Sequence, residues 1–307
     1  MPTTLPTPDL TGRLAVVTGA SDGIGVEIAT DLARAGAELI LPVRNAAKGE
    51  SAARGVRERV AGARVSTRPL DLSSLDSVAE FTATLRAEGR PVHLLVNNAG
   101  VMTPPSRRET ADGFELQWGT NHLGHAALTL GLLPVLREGR ARVVHQTSIA
   151  ARSGGIDRGA VTTPEAYDAM AAYRSSKIAV AFFGRELHRR SRDAGWGLTS
   201  TLAHPGVSPT NLLAAQPGLG RERETGARRV IRFLSRVGVT GTVAGAALPA
   251  VLAATDPTAA GGEFYGPKRL IGGPPARIPL WSSLSDADAA RRLWDETLQA
   301  IGTRFAL

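Results

Sequence analysis

The chain of 307 residues contains no cysteine, only three lysines and no long apolar run. The lack of cysteine excludes disulfides, thiolate metal sites and a cysteine nucleophile, and we expect a cytoplasmic protein. No stretch approaches the roughly 18 consecutive apolar residues that a membrane span requires, so no span is predicted. Residues 1–10 are polar, contain Pro2, Pro6 and Pro8, and lack the pattern of a secretion signal. We interpret them as a flexible lead-in.

The net charge of +8 comes almost entirely from arginine. The arginines are spread along the chain and form no basic run interleaved with aromatics, so nucleic-acid binding is not expected. An anionic small molecule is the partner that this charge favours. His122 and His125 lie three residues apart, but no third ligand is near them in the sequence. We therefore predict no metal site and interpret both histidines as helix-surface or interface residues.

Short apolar runs alternate with amphipathic stretches, which predicts parallel strands joined by helical crossovers on both faces of a sheet. The predicted strands are Leu14–Thr18, Glu38–Val43, Arg64–Pro69, Val92–Val96, Arg142–Gln146, Gly197–Ala203 and Glu263–Tyr265. The predicted helices are Ile24–Ala35, Ala46–Ala61, Ser77–Glu88, Gly113–Arg137, Ala172–Ala194 and Thr242–Thr255. No break in composition marks a second domain. We interpret residues 1–307 as one α/β domain, with about 207–239 as an insertion that forms a substrate lid.

A glycine-rich turn connects the first predicted strand to the first predicted helix. Its small residues allow close backbone approach to a pyrophosphate, and the helix N-terminus offers free N–H groups. The predicted phosphate-binding residues are Gly19, Ser21, Asp22, Gly23, Ile24 and Gly25. The spacing is Gly-x-x-x-Gly-x-Gly, with Thr18 directly before it.

Five further motifs follow in order, at the ends of predicted strands or in predicted helices. They are Asn97-Asn98-Ala99-Gly100, Asn121, Ser148, Tyr173-x-x-x-Lys177 and Pro205-Gly206. Together with the glycine-rich turn they resemble the short-chain dehydrogenase/reductase family. The run Asn121-His122-Leu123-Gly124-His125, the pair Arg44-Asn45 and the long interval from Ser148 to Tyr173 are similar to the retinol-dehydrogenase-like branch. The resemblance implies a doubly wound Rossmann fold with a seven-stranded parallel sheet and nicotinamide-dependent redox chemistry.

Arg44 follows the second strand, where the adenosine ribose of a dinucleotide lies. A guanidinium there offers paired donors to a 2′-phosphate, and no acidic residue stands beside it, so NADP is favoured over NAD. Asp22 is the counterargument, because some NADP-using relatives carry a basic residue at its position. The resemblance adds further cofactor contacts at Asn45, Asp71, Leu72, Asn98, Ala99, Gly100, Tyr173, Lys177, Pro205, Gly206 and Val207.

Tyr173 and Lys177 lie four residues apart on a predicted helix and therefore on one face. An ammonium about 4 Å from a phenolate contributes about 4 kcal/mol at an effective dielectric near 20. That energy lowers the pKa of Tyr173 by about three units, which suits an acid–base group. Ser148 is predicted to hydrogen-bond the substrate oxygen. By the resemblance, Asn121 completes the catalytic set and relays protons from Lys177 through water.

The predicted function is an NADP-dependent oxidoreductase that transfers a hydride between the nicotinamide and a carbonyl or secondary alcohol carbon of a small molecule. Two alternatives stay open: a catalytically silent NADP-binding regulator on the same fold, and a related lyase or isomerase. The resemblance also implies a homodimer that pairs helices Gly113–Arg137 and Ala172–Ala194, with Phe182 and Phe183 at the interface.

Overall fold

A computed structural model describes residues 5, 7–209, 235 and 240–305. Its strands are β1 Leu14–Val17, β2 Glu38–Val43, β3 Val65–Pro69, β4 Leu94–Asn97, β5 Arg142–Gln146, β6 Thr199–Ala203, β7 Phe264–Arg269 and β8 Gly272–Ile278. Its α-helices are α1 Gly23–Arg34, α2 Ala46–Arg59, α3 Leu75–Ala87, α4 Gly124–Gly131, α5 Leu133–Glu138, α6 Arg158–Thr162, α7 Ala169–Asp193, α8 Val243–Thr255 and α9 Ala287–Ile301. In this part of the chain no helix has both the length and the apolar character needed to cross a membrane. The lid predicted at about 207–239 lies outside the described residues, apart from 207–209 and 235.

The strands form one twisted sheet in the order β3-β2-β1-β4-β5-β6-β7-β8. Strands β1 to β7 are parallel, as the alternation of strands and helices predicts. One face is covered by α3, α4, α7 and α9, and the other by α1, α2 and α8. The strand order reverses between β1 and β4, so their carboxyl ends border the crevice where doubly wound sheets bind ligands.

The sheet has an eighth strand where the sequence analysis predicted seven. β8 runs antiparallel to β7, with a tight turn in which Leu270 adopts a positive φ of 36°. β8 contains Pro274 and Pro275, and proline is unfavourable within a central strand. Both prolines are tolerated because β8 is the edge strand, where a missing N–H donor costs no internal ladder bond.

The helix predicted over Gly113–Arg137 is divided into three segments. A π-helical segment, Trp118–Leu123, precedes α4, and α5 follows after a break at Leu132. Pro134 lies in the first turn of α5 and has no N–H to donate to the preceding turn, which accounts for the break.

The predicted dimer faces are buried within one chain. Every residue of α4 is buried, and Phe182 and Phe183 of α7 are 5% and 2% exposed. The C-terminal helix α9 covers this face: the rings of Trp294 and Phe183 stack with centroids 4.9 Å apart, and the Arg190 guanidinium lies 4.8 Å from the Trp294 ring. The expected use of Phe182 and Phe183 as intersubunit contacts is therefore wrong. The homodimer itself stays a prediction and would need another surface.

Candidate active site

The predicted phosphate-binding residues form the turn between β1 and α1 and the first turn of α1. Asp22 is the N-cap of α1, and its carboxylate accepts a hydrogen bond of 2.7 Å from Gly23 N. A Cβ atom on Gly25 would collide with the Gly19 carbonyl oxygen, and one on Gly19 would lie 2.8 Å from the Ala99 Cα. These positions therefore require glycine, and the turn lies directly against the loop that follows β4.

The loop after β4 is tied to this turn by the side chain of Thr18. The Thr18 hydroxyl accepts hydrogen bonds from Asn98 N at 2.9 Å and Ala99 N at 3.0 Å. The Asn98 amide donates to the Thr18 carbonyl at 2.8 Å and accepts from Gln146 Nε2 at 3.0 Å. The side chain of Asn98 thus holds three strand ends together. Gln146, which the sequence analysis did not select, is almost fully buried, and its Oε1 has no partner among the described residues.

The residues predicted at the adenosine end surround the carboxyl ends of β2 and β3. Arg44 is exposed and has no hydrogen-bond or ion-pair partner among the described residues. Asn45 caps α2 by accepting a 2.9 Å hydrogen bond from Lys48 N. The Asp71 carboxylate accepts from Ser73 N and Oγ, while Leu72 is buried.

The segment Pro205–Val207 follows β6 at the same edge of the sheet and is held by the unpredicted β7–β8 hairpin. Val207 N donates to the Ile271 carbonyl at 3.0 Å. Gly206 has a φ of 72°, and a Cβ there would lie 2.9 Å from that same carbonyl oxygen. His204 packs against Phe264 and Trp281 with ring centroids 5.4 and 4.8 Å away. Burial lowers the pKa of His204 to about 4, so it is a neutral core residue.

The four predicted catalytic residues come together at the carboxyl ends of β4 and β5. Tyr173 and Lys177 lie one turn apart on α7, are 4% and 5% exposed, and place Nζ 5.9 Å from the ring centroid. Ser148 lies two residues after β5, close enough to Tyr173 for its side chain to lower the pKa of the phenol. A Cβ on Gly100 would lie 3.2 Å from Asn121 Oδ1 and 3.3 Å from Lys177 Nζ, so both side chains converge on this glycine.

Hydrogen bonds fix the orientation of two members of this set. The Asn121 side chain accepts from Val101 N at 2.8 Å and donates to Val101 O and Ser176 Oγ, each at 3.0 Å. Lys177 Nζ donates to the Gln146 carbonyl at 3.1 Å. Both side chains are therefore positioned before any ligand arrives.

The pKa of Tyr173 shifts in the opposite direction from the one that the sequence analysis predicted. Burial raises the pKa of Tyr173, and the hydrogen bond with Ser148 only partly opposes this rise. Burial also lowers the pKa of Lys177 to about 8. The predicted fall in the pKa of Tyr173 is therefore wrong. The four-residue spacing shows that the two groups lie on one face of a helix, but it does not show how completely both are removed from water. Tyr167, a neighbouring phenol, has a pKa raised to about 12 by burial and has no such lysine.

The two histidines interpreted as helix-surface or interface residues lie in the core of the chain instead. His122 and His125 are 1% and 3% exposed, and burial lowers their pKa values to about 3 and about 4. His122 Nε2 lies 2.8 Å from Thr297 Oγ1 of α9. Within the described ranges, no group of three or more histidine, aspartate or glutamate side chains is arranged to hold a metal ion.

These residues fit a dinucleotide. Gly19 and Gly25 allow the close backbone packing of the turn, the N-terminus of α1 begins at this turn, and Gly100 keeps the space beside Asn121 and Lys177 open. The unpartnered Gln146 Oε1 is a buried acceptor beside the turn. Arg44 is available for a phosphate at the other end.

Comparison with known proteins identifies relatives over most of the chain. The family model described as short chain dehydrogenase matches residues 13–217. Polyprenol dehydrogenase from Mus musculus is 38% identical over 301 residues, which cover 96% of this chain and 85% of the relative. Human retinol dehydrogenase 13 is 42% identical over 203 residues, which cover 66% of this chain and only 60% of the relative.

Solved structures with a similar fold are found as well. An uncharacterized protein from Mycobacterium paratuberculosis is 35% identical, with a TM-score of 0.75 and 98% coverage of both chains. A metagenomic short-chain oxidoreductase in complex with NADP is 27% identical, with a TM-score of 0.53, 65% coverage of this chain and 84% of that chain.

Proposed function

Because the chain belongs to the short chain dehydrogenase family, in its retinol-dehydrogenase-like branch, and is an oxidoreductase of C=O and CH–OH groups, we propose that it works with NADP and uses Tyr173 as its acid and base. The observation that carries this proposal is the convergence of Ser148, Tyr173, Lys177 and Asn121 beside the glycine-rich turn. A hydride acceptor or donor in that cleft would face a proton donor and an oxygen ligand together.

Each protein residue has a separate task in this reaction. Bound NADPH supplies the hydride in the direction of carbonyl reduction. The Tyr173 hydroxyl donates the proton that the substrate oxygen then needs, and Ser148 hydrogen-bonds that oxygen and stabilises its developing charge. Lys177, protonated below a pKa of about 8, returns a proton to the tyrosine. Asn121 holds the segment that faces the amine.

The replacement Tyr173→Phe tests this assignment. We expect NADPH binding to persist while turnover falls by about 10²- to 10⁴-fold, the usual value of an acid–base group. Tyr167→Phe is the matched control, because it removes a neighbouring phenol outside the catalytic set. Turnover of Tyr173→Phe at the wild-type rate would refute the role of Tyr173.

The preference for NADP rests on Arg44, whose exposed guanidinium is free of partners among the described residues. Arg44→Ala should weaken NADPH binding about 10- to 100-fold, the value of one charge-assisted hydrogen bond, and leave NADH binding unchanged. Arg54→Ala removes an exposed arginine from α2 and controls for the change in net charge. Equal losses for NADPH and NADH in Arg44→Ala would contradict the proposal.

The substrate that we propose is a small, apolar carbonyl compound or its alcohol. The names of two of the relatives, a polyprenol dehydrogenase and a retinol dehydrogenase, support lipophilic alcohols and aldehydes as the first compounds to assay. NADPH binding without turnover on a broad panel of ketones, aldehydes and quinones would support the silent-regulator alternative. A cytoplasmic location remains part of the proposal, and cell fractionation tests it.

A further inference from the structure

His125 connects the cofactor side of the site to its catalytic side. It is the second residue of α4 and is 3% exposed. Its Nε2 lies 3.0 Å from the hydroxyl of Thr18, at the start of the glycine-rich turn. Its Nδ1 lies 2.9 Å from the main-chain carbonyl of Asn121. One imidazole therefore spans the two parts of the site that must act together.

One arrangement of the hydrogens satisfies both ring nitrogens of His125. The two lone pairs of the Thr18 hydroxyl are occupied by Asn98 N and Ala99 N, so the hydroxyl has only its own hydrogen left to share with His125. His125 Nε2 is then an acceptor. A competing contact from the hydroxyl to the Val96 carbonyl is longer, at 3.3 Å.

The contact of His125 Nδ1 requires the same tautomer of the imidazole as the contact of Nε2. The Asn121 carbonyl only accepts hydrogen bonds, so Nδ1 must carry the hydrogen. Both contacts therefore specify the neutral Nδ1–H tautomer. A proton added to Nε2 would face a hydroxyl oxygen whose lone pairs are filled. Burial acts in the same direction and lowers the pKa of His125 to about 4.

The backbone around Asn121 explains why an extra bond is useful there. Asn121 lies within the π-helical segment Trp118–Leu123, and Gly124 N bonds to the Gly119 carbonyl five residues back. Single π-helical turns occur often at functional sites and interrupt the regular pattern of helix hydrogen bonds. The bond from His125 joins the irregular turn to the following regular helix, with Asn121 at the junction.

We propose that His125 is a positioning residue that joins the Thr18 turn to the Asn121 carbonyl, so that the cofactor loop and the catalytic segment are placed as one hydrogen-bonded unit. Its effect on turnover rests on the proposed function, whereas its tautomer and its link to Thr18 do not.

The tautomer is tested by nitrogen NMR on the full chain with ¹⁵N-labelled histidine, in the absence of substrate. The chain has six histidines, and His125 and His122 are assigned by the signals that disappear in His125→Phe and His122→Phe. We expect His125 to be neutral and protonated at Nδ1 between pH 6 and 8. His93 and His204 provide an internal contrast, because their Nδ1 atoms accept from main-chain N–H groups and require the opposite tautomer. A hydrogen on His125 Nε2 would overturn the proposal.

The positioning role of His125 in cofactor binding and turnover is tested by comparing His125→Phe with His122→Phe. Both histidines are buried and one turn apart, but His122 contacts Thr297 rather than the cofactor turn. We expect His125→Phe to weaken NADPH binding and lower kcat, each by about tenfold, the value of a buried hydrogen bond. His122→Phe should change only the stability. Equal effects of the two substitutions, or wild-type values in His125→Phe, would refute the positioning role.

A double-mutant cycle separates positioning from simple destabilisation. Thr18→Val removes the hydroxyl and keeps the shape, so its effect on NADPH binding should be strongly non-additive with that of His125→Phe. Additive effects would show that the two residues act independently and would overturn the link. If His125→Phe fails to fold, His125→Gln replaces it in the cycle, and the wild-type tautomer still decides. Absence of turnover in the wild-type protein would count against the proposed function alone, because NADPH binding and the tautomer are measured without substrate.

Discussion

Lys177 is 5% exposed, and its amine donates a hydrogen bond to the Gln146 carbonyl. Burial lowers its pKa from the ordinary value of 10.5 to about 8. This difference corresponds to about 3 kcal/mol of unfavourable free energy in the folded protein at neutral pH, because each pKa unit is worth about 1.4 kcal/mol. The protein therefore gives up stability to keep an ammonium beside Tyr173.

Lys177→Met keeps the length of the side chain and removes this penalty. Below pH 8 the wild-type ammonium carries the full cost, so we expect the variant to have a free energy of unfolding up to about 3 kcal/mol higher at pH 7. Between about pH 8 and 10.5 the unfolded wild-type chain binds more protons than the folded one. Wild-type stability therefore rises with pH in this window, and the advantage of the variant disappears towards pH 10.5. Turnover should be lost although stability increases.

Urea unfolding at several pH values measures the stability difference, and Lys48→Met, at an exposed position, is the matched control. Because the chain has only three lysines, ¹³C-labelled lysine also gives a simple spectrum in which each amine is titrated separately. We expect one midpoint near pH 8 that is lost in Lys177→Met. A midpoint for Lys177 above pH 10, or a variant no more stable than Lys48→Met, would refute this reasoning.

Two other predictions concern the turn and the C-terminal helix. Gly25→Ala should abolish or strongly weaken NADPH binding in a fluorescence titration, because the new methyl group collides with the Gly19 carbonyl. Gly55→Ala is the control: its Cβ meets no other atom, so we expect it to raise the free energy of unfolding by up to about 1 kcal/mol. Trp294→Ala should lower the free energy of unfolding by about 3–5 kcal/mol, since it removes a fully buried ring stacked on Phe183. A loss below about 1 kcal/mol would show that α9 contributes little to the core.

The order of the motifs along the chain was sufficient to predict the parallel sheet and the residues around its crevice. Residues that follow successive parallel strands must meet at one edge, which is why Gly19, Asn98 and Ser148 lie near one another. The local signals were strong at these points, because glycine spacing and helix periodicity report on backbone geometry directly.

Features that depend on long-range packing were not predictable in the same way. The prolines of β8 argue against a strand until its edge position is known, and the hairpin that supports Val207 was therefore missed. The spacing of His122 and His125 is the same for a surface face and for a core face. Only the position of α9 shows that His122 is covered and that the helices expected at a dimer interface are inside one chain.

The two pKa shifts at the centre of the site have a consequence that proximity alone does not give. Burial raises the pKa of Tyr173 above its ordinary value of 10.0 and lowers that of Lys177 to about 8, so the ammonium is the stronger acid of the pair. A tyrosinate formed by proton donation to a substrate oxygen is then reprotonated by Lys177 in the favourable direction. Proton supply in the direction of carbonyl reduction is downhill at this step, whereas alcohol oxidation must move the same proton uphill. The desolvation that raises the pKa of Tyr173 therefore makes its proton donation to the substrate harder and its reprotonation by Lys177 easier.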